Sequence, residues 1–166
     1  DEIAQLAQVR KLDIQPFRRT MIQIEVAPPA PAELPLVVGL DGSFYFKPDA
    51  GGRLWLSPHD EIATPPCDAA AEELEVAIAL DRFEQVVDWK VVRIERKWAG
   101  LRSFAPDRKP VIGRDTRNEQ FFWLAGQGGF GIQTAPAVAQ LAAALLLQRD
   151  PPLEIVPALY SPHRFR

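Results

Sequence analysis

Cysteine is all but missing. Cys67 is the only one in 166 residues, which excludes an internal disulfide framework and a thiolate metal cluster. A lone cysteine fits a reducing compartment, and a cytoplasmic setting is the expectation. Histidine is nearly as scarce: His59 and His163 stand far apart, so no metal site is expected. Positive charge is not in excess either. The formal net charge is −3, so no general basic field recruits nucleic acid or an anionic membrane. No apolar run approaches the roughly 18 residues of a membrane span; the longest, 141–147, falls inside an amphipathic helix pattern. Methionine occurs once, at Met21, and the chain opens directly on Asp1-Glu2-Ile3-Ala4-Gln5-Leu6-Ala7, a helix-like segment with its acids first. That opening reads as a cut within an element of a longer protein.

What is present is an ordinary globular balance, 47% hydrophobic and 25% charged, in a chain long enough for a real core. Residues 17–26 alternate Ile22, Ile24 and Val26 with Gln23 and Glu25, a strand with one buried face. Short strands follow at 36–38, 43–47 and 53–57, joined by turns at Asp41-Gly42 and Pro48-Asp49-Ala50-Gly51-Gly52, as in an antiparallel meander. Residues 59–68 read as a polar loop. A helix is expected over 69–87, with Leu74, Ala77, Ile78 and Val86 as its apolar stripe. A long strand covers 91–103, a short extended piece 111–113, and a strand, glycine loop and helix occupy 121–148, stopped by Pro151-Pro152.

Two constellations carry chemistry. Gly126-Gln127-Gly128-Gly129-Phe130-Gly131 satisfies the spacing G-x-G-x-x-G behind an apolar strand. A dinucleotide fold needs that turn at its start, with a further β-α unit behind it. Only 16 residues follow Asp150, so a self-contained NAD or FAD domain is rejected. Gly128, Gly129 and Gly131 either let the helix pack closely or let backbone N–H groups touch a ligand at a positive helix start. The second constellation is Lys97-Trp98-Ala99-Gly100-Leu101-Arg102-Ser103. Alternation puts Trp98, Gly100 and Arg102 on one face: an aromatic wall, a gap and a guanidinium suited to a carboxylate. Alone, this segment reads as a surface arginine beside a bulge.

Together, Trp98-Ala99-Gly100-Leu101-Arg102-Ser103-Phe104-Ala105-Pro106-Asp107, Pro110-Val111-Ile112-Gly113, the segment 125–136 and the closing Ser161-Pro162-His163-Arg164-Phe165 resemble the D-amino-acid oxidase family of FAD enzymes. That family includes glycine oxidases, sarcosine oxidases and D-amino-acid dehydrogenases. The resemblance implies an α+β fold: a mostly antiparallel substrate-domain sheet with flanking helices, plus a C-terminal strand-loop-helix that completes an FAD-binding domain. It implies a remnant of an FAD-domain helix at 1–12, a substrate-binding domain at 13–113 and the returning strand-loop-helix with tail at 114–166. The ADP-binding half of the FAD site then lies outside this chain, in a missing N-terminal half or a second chain. Arg102 would bind the substrate carboxylate and Tyr45 would stand above the substrate. Gly126, Gly128, Gly129, Phe130, Gly131, Ile132 and Gln133 would line the flavin. The reaction implied is oxidation of a small (D-)amino acid or glycine- or sarcosine-like amine, with hydride passing from Cα to flavin N5. An amine entering uncharged needs no protein base.

Departures from the family refine this. The sarcosine-oxidase branch attaches FAD through a cysteine near the last strand, and none stands there, so noncovalent FAD is expected. The lysine which that branch carries for oxygen activation is replaced by Trp55, favouring a dehydrogenase. Gln127 replaces a frequent histidine, and His59 reads as a solvated loop residue, with reach to the site mouth as the alternative. The competing reading is a non-catalytic subunit or interaction module that needs a partner chain to complete any cofactor site. Either way the apolar faces of the opening helix and the helix over 135–148 should be exposed, so a homodimer or domain swap is expected.

Overall fold

A computed structural model describes residues 1–152 and 154–165. It divides into two compact units, one formed by Asp1–Pro16 with Arg102–Arg166 and the other by Phe17–Leu101. They are called unit 1 and unit 2.

Unit 2 is built on a sheet whose strands are β1 (Gln15–Ala27), β2 (Val37–Val38), β3 (Tyr45–Asp49), β4 (Arg53–Ser57) and β5 (Ile62–Ala63), in the order β2-β3-β4-β1-β5. The long strand β6 (Lys90–Phe104) also pairs with β1. Successive side chains alternate between faces, and the register aligns like with like. Ile22 opposes Leu56, Ile24 opposes Leu54 and Phe46 opposes Leu56, while Gln23 and Lys47 oppose Trp55. The first face is the core, where Ile22, Ile24, Phe46, Leu54 and Leu56 are buried. On the second face Gln23 and Trp55 are half-buried and Lys47 is exposed.

Helix α2 (Glu73–Glu84) covers the core face. Its buried residues are Glu75, Val76, Ala79 and Phe83, whereas Leu74 and Val86 are exposed. The stripe thus runs on Val76, Ala79 and Phe83, one step off the expected Leu74, Ala77, Ile78 and Val86. The strand-borne apolar residues decide which helix face is buried, and Phe83 supplies the largest ring. It meets Phe46 edge-on at 5.1 Å and stacks near Trp89 at 6.4 Å. The helix also starts four residues later than expected.

The segment read as loop at 59–68 holds β5 and a buried anchor. Thr20 donates to Asp60 through both its backbone N–H (2.7 Å) and its hydroxyl (2.9 Å), and Arg18 pairs with Glu72 and Glu75. Arg18 and Thr20 lie within β1, whose sequence gives no sign of partners so distant.

Unit 1 is organised by an antiparallel hairpin of β7 (Val111–Arg114) and β8 (Phe122–Ala125). Alternation divides its residues between two apolar clusters. Val111 and Trp123 pack with Ala4, Val9, Leu12 and Ala105, while Ile112 packs with Leu141 and Ala142 and is flanked by Phe122 and Tyr160. Ala4 comes from α1 (Glu2–Leu6), and Leu141 and Ala142 come from α3 (Gly131–Leu146). The outer faces are apolar, as expected: Ile3 and Leu6 on α1, with Ile132 and Leu146 on α3, are exposed.

Two carboxylates lock unit 1. Asp115, buried, accepts from Trp123 Nε1 (3.0 Å) and from the backbone N–H groups of Arg117 (2.9 Å) and Asn118 (3.2 Å). Burial pushes its carboxyl up, but these bonds together outweigh it and hold the group below the ordinary range. Asp107 receives both arms of Arg164, at 2.8 and 3.0 Å, and this pairing holds its carboxyl low. Arg164 also donates to the carbonyls of Lys109, Pro110, Tyr160 and Ser161, so the closing Ser-Pro-His-Arg-Phe segment is a structural clamp. Among the described residues no helix is long and apolar enough to cross a membrane.

Two predictions follow from this packing. Phe83→Ala should cost about 3–5 kcal/mol in denaturant unfolding, whereas Leu74→Ala should stay within about 0.5 kcal/mol. Equal costs would contradict the observed stripe. Because both Asp107 and Asp115 titrate low when folded, their stabilisation is full above the ordinary carboxylate value near 4 and is lost as pH falls through the lower folded values. Thermal midpoints of Asp115→Asn should therefore lie below wild type at pH 7, and the gap should narrow as pH falls through and below the ordinary carboxylate range.

Candidate functional site

The glycine loop lies between β8 and α3, and each of its glycines has a demand met inside unit 1. Gly126 (φ +72°) packs a bare Cα against Ala105 and the Lys109 carbonyl. Gly128 (φ +55°) is pressed on the Phe104 ring: a Cβ there would sit 2.2 Å from a ring carbon. Its N–H donates to the Ser103 carbonyl at 2.9 Å. A Cβ on Gly129 would come within 2.8 Å of the Arg102 guanidinium. Phe104 is held on another side by Arg108, whose guanidinium lies 4.0 Å from the ring centroid.

The structure thus brings together Arg102, Gly128 and Gly129, three of the residues singled out from sequence. Phe104 and Arg108, which hold them, were not singled out. Phe104 stood in the sequence only as a member of the segment 98–107, one residue beyond the strand expected over 91–103. The glycine count has an internal explanation too, since close approach by Phe104 and Arg102 already requires Gly128 and Gly129.

What remains for a ligand is the start of α3. Phe130 stands at its cap position without a side-chain hydrogen bond, and the first turn holds no acid. The leading N–H groups of Gly131, Ile132 and Gln133 have no intrahelical partner, and together they carry the positive end of the helix dipole. Ile132 is 96% exposed and Phe130 56%. Large apolar side chains around uncapped N–H groups fit a flat, partly anionic ring better than water. On these grounds the loop and helix start fit FAD.

Tyr45 lies in unit 2, on the sheet face opposite the core, because Tyr45 and Lys47 alternate with Phe44 and Phe46 along the strand. Phe44 and Phe46 are buried. The Tyr45 hydroxyl donates to Met21 Sδ at 3.1 Å, and its ring meets His59 edge-on at 5.4 Å. His59 is not the solvated loop histidine expected. It is half-buried, with Nδ1 against the Gly42 carbonyl and its N–H on Ser57 Oγ. Met21 was legible as a member of this face, two residues before Gln23 on the same strand. On that face Asp49 accepts from Gln23 Nε2 and Trp55 Nε1, and the Ala50 N–H is the largest influence holding its carboxyl low. Beyond Gly100, where a gap was expected, a Cβ would meet nothing within 4 Å. Cys67 is exposed.

A family model described as DAO, FAD dependent oxidoreductase, matches residues 1–145. The chain belongs to this family. Among curated relatives of this DAO chain, glycine oxidase of Bacillus subtilis (strain 168) is 32% identical over 110 residues, covering 64% of this chain and 28% of that protein. The tRNA 5-methylaminomethyl-2-thiouridine biosynthesis bifunctional protein MnmC of Maricaulis maris (strain MCS10) is 30% identical over 142 residues, covering 85% and 22%. L-proline dehydrogenase from P. horikoshii superposes with a TM-score of 0.79 over 98% of this chain and 43% of its own, at 22% identity. Glycine oxidase from Geobacillus kaustophilus gives 0.71 over 91% and 39%, also at 22% identity. The last two comparisons show the fold: mixed α and β with a mostly antiparallel sheet. The chain spans about a quarter of the length of these curated relatives and about two fifths of the solved chains.

The packing of the loop makes a clear contrast. Gly128→Ala combines a left-handed backbone with a ring clash and should destabilise by more than about 2 kcal/mol. Gly131→Ala, in ordinary helical conformation with its nearest obstacle Gln127 Cβ at 3.3 Å, should change stability by less than about 1 kcal/mol. Chemical denaturation of the two variants checks the difference. Equal effects would count against the Phe104 contact.

Proposed function

We propose that this chain is the C-terminal part of an FAD-dependent oxidoreductase that oxidises a small amino acid, or a glycine- or sarcosine-like amine, at its Cα–N bond. The observation that carries the reading is the juxtaposition in unit 1 of Arg102 with a bare Gly129 beside an uncapped helix start. Family membership supports it, as do relatives named glycine oxidase and D-amino acid dehydrogenase.

Bound noncovalently, FAD would supply the two-electron, hydride-accepting chemistry. Arg102 would hold the substrate carboxylate in its two-pronged guanidinium, fixing the direction of the Cα–H bond. Gly129 would keep that space free of a side chain. The N–H groups of Gly131, Ile132 and Gln133 would place positive potential where negative charge develops, with Gly126, Gly128 and Phe130 shaping the loop. The carboxylate would stay unchanged; the Cα hydrogen would pass as hydride to bound FAD and one N–H proton to water, and water would then hydrolyse the resulting imine.

In the complete, FAD-loaded protein, Arg102→Ala should lower kcat/KM for amino acids about 10- to 100-fold, mostly through KM, with flavin absorbance retained. Arg102→Lys should recover part of that loss, since an ammonium keeps the charge without the fork. An unchanged KM in the alanine variant would remove the carboxylate role. Failure of the complete protein to bind flavin would remove the whole reading.

A further inference from the structure

Among the described residues, five other than glycine hold a left-handed backbone: Gln8, Asp13, His59, Arg108 and Gln148. That conformation strains a residue with a long side chain and persists only where the surroundings impose it. Gln8 and Gln148 stand one residue past the caps of α1 and α3, where helices commonly end in this way. Asp13 is of a residue type that tolerates it, and His59 belongs to the ring contact with Tyr45. None of these accounts covers Arg108, with φ +63°.

Arg108 closes the turn that follows Phe104, its N–H donating to the Ala105 carbonyl at 2.8 Å. Such a turn closes on glycine with less strain, so the side chain is what arginine contributes at this position. Both oxygens of the neighbouring Asp107 receive Arg164, at 2.8 and 3.0 Å. The Arg108 guanidinium lies over the Phe104 ring, 4.0 Å from its centroid. That ring is buried and presses on the bare Cα of Gly128. Arg108 also lines a cavity of about 240 Å³ with Gln127, Phe130 and Thr134. It therefore stands along the flank of the glycine loop as well as on the ring.

We infer that Arg108 is a positioning residue for the substrate-carboxylate site. Its guanidinium holds the Phe104 ring against Gly128, and so fixes how closely Gly129 approaches Arg102. The attraction of a cation for a ring face supplies the force, and the left-handed backbone lets the side chain reach back over the ring. A strained residue thus sets the loop at a position where folding alone favours another. Its effects on stability and on the site are opposed: replacing Arg108 relieves the backbone and releases the loop. The consequence for catalysis rests on the reading that Arg102 holds the substrate carboxylate; the consequence for the loop does not.

The bond from Gly128 N–H to the Ser103 carbonyl, at 2.9 Å, reports the placement of the loop. Arg108→Asn keeps a residue suited to the turn and removes the guanidinium. In the complete, FAD-loaded protein its thermal midpoint should stay within about 2 °C of wild type or rise. Hydrogen exchange at the Gly128 amide, followed by mass spectrometry, should speed up about tenfold, while the core of unit 2 keeps its rates. KM for amino acids should rise about fivefold with kcat changed less than about twofold. Arg108→Lys keeps a cation for the ring and should bring exchange and KM to within about twofold of wild type. Unchanged exchange at Gly128 in Arg108→Asn would overturn the inference, and so would an unchanged KM. A midpoint lowered by more than about 5 °C, with exchange raised throughout unit 1, would make Arg108 an ordinary structural contact and overturn it too. Exchange and melting are repeated on the flavin-free protein, where they need neither cofactor nor turnover. A protein that binds no flavin would remove the proposed reaction, and the contrast at Gly128 would still decide whether Arg108 places the loop.

Discussion

The Phe104 ring occupies the space that a side chain on Gly128 would need, and the local order of unit 1 depends on that contact. Phe104 ends β6, and Gly128 stands in the loop that leads to α3. The ring contact and the bond from Gly128 N–H to the Ser103 carbonyl fasten these two segments together. Once they are fastened, Gly129 must lie against Arg102, only two residues before Phe104. Arg108 holds the ring from another side, and Arg164 ties the following turn to the closing segment through Asp107. The arginine and the loop are therefore neighbours because of apolar packing and a clamp, before any ligand is considered.

Unit 2 expresses a different constraint. Its strands alternate strictly, so filling one face with Ile22, Ile24, Leu54 and Leu56 commits Met21, Gln23, Tyr45, Lys47 and Trp55 to the other. A core of that size needs only one covering layer, and α2 provides it. The opposite face can then hold polar and aromatic residues at no cost to the core. Their contacts with one another, such as Tyr45 with Met21 and Trp55 with Asp49, order that face in place of a second helix.

Much of this was legible because strand periodicity is a local signal. The strands at 53–57 and 111–113, the turn at Asp41-Gly42 and the faces of residues 43–47 all emerge from alternation and turn chemistry. The α2 stripe was not legible. Its residues include apolar side chains on more than one flank, and the choice of Phe83 over Leu74 is made by the sheet beneath. The Asp60 and Asp115 anchors were also hidden, since each depends on partners brought close only by folding: Thr20, 40 residues away, and Trp123, across a hairpin. Arg102 and the glycine loop were found as separate segments, and their proximity needed the fold. His59 was misread because its burial comes from Gly42 and Tyr45, not from its own neighbours.

The spacing of the glycine loop shows why a motif must be read by the demands on each position. In a dinucleotide turn the first glycine makes the bend, the second admits a phosphate and the third lets helix and strand approach. Here Gly126 does make a bend, with φ +72°. At the second position, however, Gly128 yields its space to the chain's own Phe104, so no phosphate can approach in that direction. Gly131 already belongs to α3 in ordinary helical conformation. The same spacing therefore serves internal packing at its centre, and contact with a ligand is left to the uncapped helix start beyond it. A glycine count alone cannot distinguish these uses, because closeness to backbone is required in both. The distinguishing features are the identity of the atoms nearest each bare Cα and the N–H groups left over at the helix start, where Phe130 and Ile132 are exposed.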